Sequence, residues 1–316
     1  MYIKIFVVTN KVLFFYFFMM LSLSCSAQLS GIQEMDTVSV RVKGFTAEDF
    51  IKATKKDTSF YRAFKNLKIY NHVQLSKVLV LSKKSNEENK IEKASLQRET
   101  THHNKNNKAW VTLNKESVNG KYYKRNGDFR FFTSEMFDKI FYPKDTVFAS
   151  NLVSSSYAQK KPGDRSKKEK YYEQLKTFMF SPGTGVDGVP IIGDKLDIFS
   201  EEMRPYYDFT LEKVTYQDSI PCYLFICSKK GTIKERKVVI QYLKTYYDRR
   251  TMNIIARKYR IKDKTILFDF DIRMAVHLQK IGNEYFPSII KYVGNWDVPF
   301  KKRERLAFQI KTKLIE

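Results

Sequence analysis

Between Ile266 and Leu278 every second residue is apolar: Ile266, Phe268, Phe270, Ile272, Met274, Val276 and Leu278. Leu267, Asp269, Asp271, Arg273, Ala275 and His277 alternate with them. Successive side chains of a strand point to opposite faces, so this period of two describes one long strand with a dry face and a mostly wet one. A strand of that kind cannot stand alone in water and commits the chain to a sheet that is covered on one side. Neighbouring segments supply its partners. Tyr207, Phe209 and Leu211 alternate with polar residues, and 238–247, 252–261, 288–296 and 306–314 read as further strands, with a turn at Gly282-Asn283. Short connections between consecutive alternating strands give an antiparallel meander. Twenty-five Phe and 20 Tyr against 12 Gly lean the same way, because aromatic side chains suit a pleated, half-buried surface.

The N-terminal half mixes helices with strands. Thr46 and Asp49 have the spacing of a helix-starting capping box. Phe60, Ala63, Phe64 and Leu67 fall on one helical face that must cover something apolar. From Ile69 to Leu81 the pattern becomes strand-like, and Trp110 to Leu113 starts another strand. Asn126-Gly127 supplies the positive φ angles of a type I′ turn and predicts a hairpin between 121–125 and 128–132. Ser134 is placed to cap a helix over 135–141, and a second helix is expected over 171–179. Two polar insertions interrupt the pattern, near 83–108 and 154–170. The first reads as a loop or an outlying hairpin tip and contains His102 and His103. Adjacent residues point apart, so these two do not make a metal site. Four glycines between Gly183 and Gly193 lack the order of a phosphate-binding loop. The expected fold is therefore mainly β (α+β), a curved antiparallel sheet or incomplete β-barrel covered by a few helices, in one β-rich domain over 28–316.

The first 27 residues are set apart. Lys4 and Lys11 precede an apolar run from Val12 to Leu23, and Cys25-Ser26-Ala27 supplies small residues at its end. A run of about twelve is a signal-peptide core, too short for a membrane span of about 20. Cleavage before Gln28 is the expected outcome and lipidation at Cys25 the alternative, while a retained N-terminal anchor is disfavoured by the shortness of the run. Either exports the chain to the periplasm or the outer-membrane periphery. Export also changes the meaning of the charge. With 57 Lys+Arg against 34 Asp+Glu the net charge is +23, which in a cytosolic chain would point to nucleic acid. In the envelope the counterparts are anionic glycolipids and lipid headgroups.

Chemistry is sparse. Asp269 and Asp271 share a strand face about 6.6 Å apart, with Arg273 and His277 in the same row. A solvated polar stripe is the preferred reading of them over acid–base work, which needs a concave, water-excluding pocket. Cys222 and Cys227 lie in one strand, facing opposite sides about 17 Å apart, so they cannot bridge each other. No nucleophile elbow and no metal-ligand spacing is present. The sequence offers no catalytic residue, no metal site and no cofactor.

The segments GKYYKRNGDFRFFTSEMFDKIFYPKD, YYDFTLEKVTYQDSIPCYLF, LFDFDIRMAV and GNWDVPFKKRERLAF resemble those of a group of uncharacterised exported proteins of Gram-negative bacteria, over residues 45–80 and 109–314. Some relatives in that group carry a carboxypeptidase-like label that belongs to an unrelated accessory domain, and it implies no peptidase activity here. More distantly, the run of antiparallel strands with covering helices is similar to the lipoprotein-localisation carriers of the periplasm. Those fold as an incompletely closed barrel with an apolar lining plugged by helices. That resemblance implies a lining of Phe268, Phe270, Ile272, Met274 and Val276, with Phe60 and Phe64 in the plug. The same residues also serve as an ordinary packed core. The implied partners are a lipid, a lipoprotein or an anionic glycolipid rather than nucleic acid, bound by a monomer with peripheral envelope association. The alternative is a structural adaptor that binds other envelope proteins through sheet edges and a basic face.

Overall fold

The computed structural model describes residues 40–41, 44–82, 91–143, 145–149, 182–183, 193–264, 269–297 and 302–314. The signal segment, Cys25, the 154–170 insertion, the 171–179 helix and the candidate lining residues Ile266 and Phe268 lie outside them. The elements follow in the order β1 (Val40–Arg41), α1 (Ala47–Lys56), α2 (Ser59–Asn66), β2 (His72–Leu81), β3 (Glu92–Lys105), β4 (Lys108–Gly120), α3 (Phe132–Phe141), β5 (Val147–Phe148) and a one-turn α4 (Gly193–Leu196). Seven long strands follow among the described residues: β6 (Tyr207–Tyr216), β7 (Ile220–Lys229), β8 (Ile240–Asp248), β9 (Ile254–Lys264), β10 (Asp269–Ile281), β11 (Glu284–Asp297) and β12 (Glu304–Leu314).

All twelve strands form one antiparallel sheet in the order β1-β6-β7-β8-β9-β10-β11-β12-β2-β3-β4-β5. The sheet is open. Its middle is the expected meander, β6 to β12, and the N-terminal strands extend it past β12. Hairpin turns use residues that tolerate positive φ: Asn106-Asn107 (53° and 58°) between β3 and β4, and Gln217-Asp218 (48° and 57°) between β6 and β7.

Register aligns one apolar row across ten strands: Phe209, Cys227, Leu243, Tyr259, Met274, Tyr292, Phe308, Val78, Leu96 and Val118 are successive cross-strand partners from β6 to β4. From Cys227 to Leu96 no member is more than 2% exposed. The sheet face that carries this row is the inner face. Three helices roof it. Phe50 of α1 meets Tyr223, Phe225 and Tyr247 of β7 and β8 with ring centroids 5.7, 5.8 and 5.1 Å apart. Phe137 of α3 lies 4.4 Å from Phe308 of β12. Helix α2 lies between them, packed against β11.

A second, smaller core lies on the opposite face, where Tyr216, Leu224, Tyr246 and Ala256 pack together. Tyr216 of β6 hydrogen-bonds His277 of β10, four strands away in the sheet. Four strand spacings are about 19 Å on a flat sheet, beyond the reach of two side chains, so the sheet must curl strongly at this corner. Cys222 belongs to this outer core and Cys227 to the inner one. Both thiols are free and buried, as their five-residue spacing predicts. Burial pushes the Cys222 thiol up to about 12.

Three local expectations are corrected. Residues 92–105 of the first polar insertion form β3, inside the sheet between β2 and β4. Polar side chains are accommodated there because much of its outer face is wet, while Ala94 and Leu96 point inward. Gly127 takes a positive φ of 82° but Asn126 does not, so the type I′ turn gives way to one closed by Gly127 N–H donating to Lys124 O, and the predicted hairpin shrinks to a single bridge, Tyr123 to Phe129. Tyr122 turns inward and is fully buried, so ring packing replaces further ladder. Helix α3 begins at Phe132 rather than after Ser134, which is buried inside it. Glu304 takes the capping role instead, accepting hydrogen bonds from the backbone N–H groups of Phe132 and Thr133 at 3.0 and 2.9 Å.

Gly294 on β11 occupies an inner-face position directly beneath Tyr292. A Cβ placed there would lie 2.1 Å from the Tyr292 hydroxyl oxygen. That ring cannot easily move. It stacks on Phe308 at 4.6 Å, and its hydroxyl accepts a 2.6 Å hydrogen bond from Trp296 Nε1. Gly294→Ala is therefore expected to destabilise the protein by about 1–3 kcal/mol, the usual penalty of overpacking, measured by denaturant unfolding.

Candidate functional site

Topology makes α1 and α2 a strap. The chain leaves β1 at the β6 end of the sheet and next enters the sheet at β2, beyond β12. The two helices between must cross the inner face. Local sequence fixes where each begins. Thr46 and Asp49 form the expected capping box, with Thr46 N–H donating to Asp49 Oδ2 at 2.9 Å. The Asp57 carboxylate accepts from the backbone N–H groups of Ser59 and Phe60 at the start of α2, at 3.1 and 3.3 Å.

The helical stripe predicted in the sequence faces the sheet: Phe60, Ala63, Phe64 and Leu67 are all buried. On β10, the strand next to the β11 on which α2 packs, Phe270, Ile272, Met274 and Val276 are exposed by 4%, 2%, 0% and 0%. The candidate lining and plug residues within the described chain thus share one apolar cluster. They are closely packed. A bulge between His277 and Leu278 ends the strict alternation, so Leu278 is only partly buried.

The strap is also tied by polar groups that sequence reasoning missed. Arg257 points inward from β9 and is 4% exposed. Its guanidinium lies 3.4 Å from Asp57 and 4.5 Å from the Phe60 ring centroid. Thr54 of α1 donates to Phe50 O at 2.6 Å and so accepts from the Tyr247 hydroxyl, also at 2.6 Å. Asn66 at the end of α2 donates to Glu284 Oε2 and Tyr285 O of β11 at 3.1 and 3.0 Å. The one signal that could have found Arg257 was its place in the alternating row Ile255, Arg257, Tyr259 and Ile261.

A polar cluster sits on the inner face where β2 meets β3. His72 and His102 are cross-strand partners with rings stacked at 4.3 Å, and both are buried. This corrects the solvated reading of His102, while His103 points to the other face as adjacency requires. His72 Nδ1 donates to Tyr70 O at 2.8 Å and its Nε2 accepts from Gln74 at 3.1 Å, so the ring is neutral. Burial lowers His72 to about 4 and His102 to about 3. His277, half-buried at the outer corner near Lys291 and Lys258, also falls to about 4 through desolvation and those two charges.

These shifts have a defined sign. Each imidazole titrates lower in the folded chain than its unfolded value of about 6.5, so the unfolded state binds more protons between the two values. Stability is complete above pH ~6.5 and falls as the pH drops toward 4. The expected outcome is a melting temperature that declines between pH 6.5 and 4.5, where ordinary carboxylates remain mostly ionised. His277→Asn should flatten that slope.

The carboxylates considered for acid–base work are engaged in ion pairs. Asp271 accepts two hydrogen bonds from Arg260, at 2.9 and 2.7 Å, and Asp269 pairs with Arg303. Desolvation opposes the Arg260 contact at Asp271, and its carboxyl still ends below the usual range. Among the described residues, no group of three or more His, Cys, Asp or Glu side chains is placed to hold a metal ion. No helix among them is long and apolar enough to cross a membrane.

No family model and no curated protein matches the chain. Solved structures do resemble it at low identity. A DUF1329 family protein from Desulfovibrio piger is 11% identical, with 84% of this chain and 90% of that one covered and a TM-score of 0.25. A LolA superfamily protein from Nitrosomonas europaea is 9% identical over 86% and 94%, with a TM-score of 0.25. A putative outer membrane lipoprotein-sorting protein domain from Vibrio parahaemolyticus is 6% identical over 85% and 92%, with a TM-score of 0.27. Function has to be read from the chain's own residues.

Proposed function

We propose that this is an exported envelope protein that holds a lipid or lipoprotein acyl chain between the strap and the inner face of the sheet. Phe270, Ile272, Met274 and Val276 would line the site, with Phe268 extending the row. Phe60 and Phe64 would lift away to admit the chain. The observation that carries this reading is the roof: an apolar row buried across eight strands, from Cys227 to Leu96, is covered among the described residues by short separate helices.

Energetics permit the exchange. Lifting α2 re-exposes Phe60, Phe64 and Leu67, at about 2 kcal/mol each. An acyl chain of fourteen methylenes returns about 0.8 kcal/mol per buried CH₂, or about 11 kcal/mol in all. An eight-residue helix has little stability of its own and depends on the sheet for its shape, so it can leave without unfolding the strands.

The test is mass spectrometry of protein extracted from native envelopes under non-denaturing conditions. A stoichiometric acyl-bearing species, also formed when purified protein meets a diacylated lipopeptide, is the expected result. Protein that is lipid-free and takes up no lipopeptide sinks the reading. The same spectra distinguish an N-terminus at Gln28 from a diacylated Cys25.

The adaptor reading keeps one supporting observation. Among the described residues β5 pairs only with Lys108 and Ala109 of β4, while Leu113 and Val118 farther along that strand are 53% and 42% exposed. Unpaired strand length of this kind is a template for another chain. A reproducible protein partner lost on Val118→Pro, from otherwise lipid-free protein, would favour it.

A further inference from the structure

The outer face of the sheet carries a pattern that folding does not require. Register sets Lys244, Lys258, Ala275, Lys291, Gln309 and Lys77 as successive cross-strand partners from β8 to β2. Four of these six strands place a lysine in one row, which spans about 24 Å at the usual strand spacing. The adjacent row pairs Arg260 directly with Arg273, and Lys311 extends the patch on β12. Lys244 opposite Lys258 and Arg260 opposite Arg273 are like-charge partners, an arrangement that works against sheet stability. Acidic residues flank the row: Glu99 of β3 lies beside the Lys77 end, and three aspartates lie at the end of β10 and β11. Asp269 and Asp271 of β10 and Asp297 of β11 are engaged by Arg303 and Arg260.

Tyrosines sit among the lysines. Lys258 Nζ lies 5.5 Å from the Tyr246 ring centroid and Lys244 Nζ 5.8 Å from that of Tyr242. The crowding of positive charge is felt within the fold, since Lys291 and Lys258 both oppose protonation of His277.

We infer that this outer face, centred on Lys258 and Lys291, docks on the surface of an anionic phospholipid bilayer. A bilayer offers a two-dimensional array of negative headgroups, matching basic residues spread across six strands instead of along one groove. Lysine ammonium groups act as point charges on such a surface. Docking by the outer face leaves the strap on the inner face unobstructed. It is independent of whether that strap covers an acyl chain.

The test is co-sedimentation of the full chain with vesicles containing phosphatidylglycerol, beside vesicles of phosphatidylcholine alone. Binding is expected only to the former and should weaken steeply as salt rises. Lys258→Gln and Lys291→Gln should each reduce affinity about fivefold, and together about 25-fold, as expected for charges near a membrane surface. Lys52→Gln and Lys55→Gln on α1 should leave it unchanged. The outer-face substitutions relieve like-charge crowding, so the variants should melt no lower than the parent, which checks that they fold. Equal binding to neutral vesicles overturns the inference. So does an equal loss from the α1 substitutions, or displacement from vesicles by an equimolar single-stranded oligonucleotide.

Discussion

Asp57→Ala is expected to lower the unfolding free energy by about 3–5 kcal/mol, a large effect for one carboxylate at the start of a short helix. Two losses combine. The carboxylate that receives the backbone N–H groups of Ser59 and Phe60 disappears, a capping contribution of about 1 kcal/mol. The larger share is the Arg257 guanidinium, which is left charged and 4% exposed beneath the Phe60 ring. A buried cation without its partner is far costlier than either an intact pair or none. Changing both partners, Asp57→Ala with Arg257→Met, should therefore recover much of the loss. Denaturant unfolding of the two single variants and the double variant measures the coupling. A single-variant loss below about 1 kcal/mol would mean that the pair behaves like an exposed one. Because this contact ties the strap to the sheet, Asp57→Ala should also speed uptake of an acyl probe if α2 is the element that moves.

What the sequence reveals follows from how local each signal is. The β10 row was legible because a period of two over many residues admits one reading. Phe270 to Val276 accordingly lie on the buried face. The capping box at Thr46 and the Phe60, Ala63, Phe64 and Leu67 stripe were legible because their contacts span only three to seven residues. The opposite fates of Cys222 and Cys227 followed from strand parity alone. Contacts that join distant segments were not legible. Arg257 reads as one more basic residue in a basic chain until Asp57, 200 positions away, is brought beside it. Residues 92–105 look like a loop because their composition is polar. They become a strand because β2 offers a complete edge on one side and β4 returns on the other. His102 was misplaced for the same reason, since its burial depends on stacking against His72 across that pairing. The basic row on the outer face is likewise invisible along the chain and emerges only when register sets Lys244, Lys258, Lys291 and Lys77 in line.

Phe308→Ala should separate a packed core from a binding face. Phe308 stands at the middle of the inner row, 2% exposed. It stacks on Tyr292 at 4.6 Å and meets Phe137 and Phe141 of α3 at 4.4 and 5.7 Å. Truncating it removes the ring's burial and leaves a cavity that its neighbours cannot all close, because Tyr292 is held by Trp296 and by contact with Gly294. The expected loss is about 3–5 kcal/mol, read by denaturant unfolding. Phe308→Leu, which refills most of the space, should lose less than half of that. Affinity for an acyl chain then decides between the two readings. If an acyl chain enters between the helices and this row, the cavity offers it unfilled apolar room, and the Ala variant should bind the probe more tightly while being less stable. If the row is core alone, the variant should gain no saturable, one-to-one acyl binding at temperatures where it remains folded. Opposite movement of stability and affinity is the signature of a site, because only a ligand can recover contacts that the missing ring gave up.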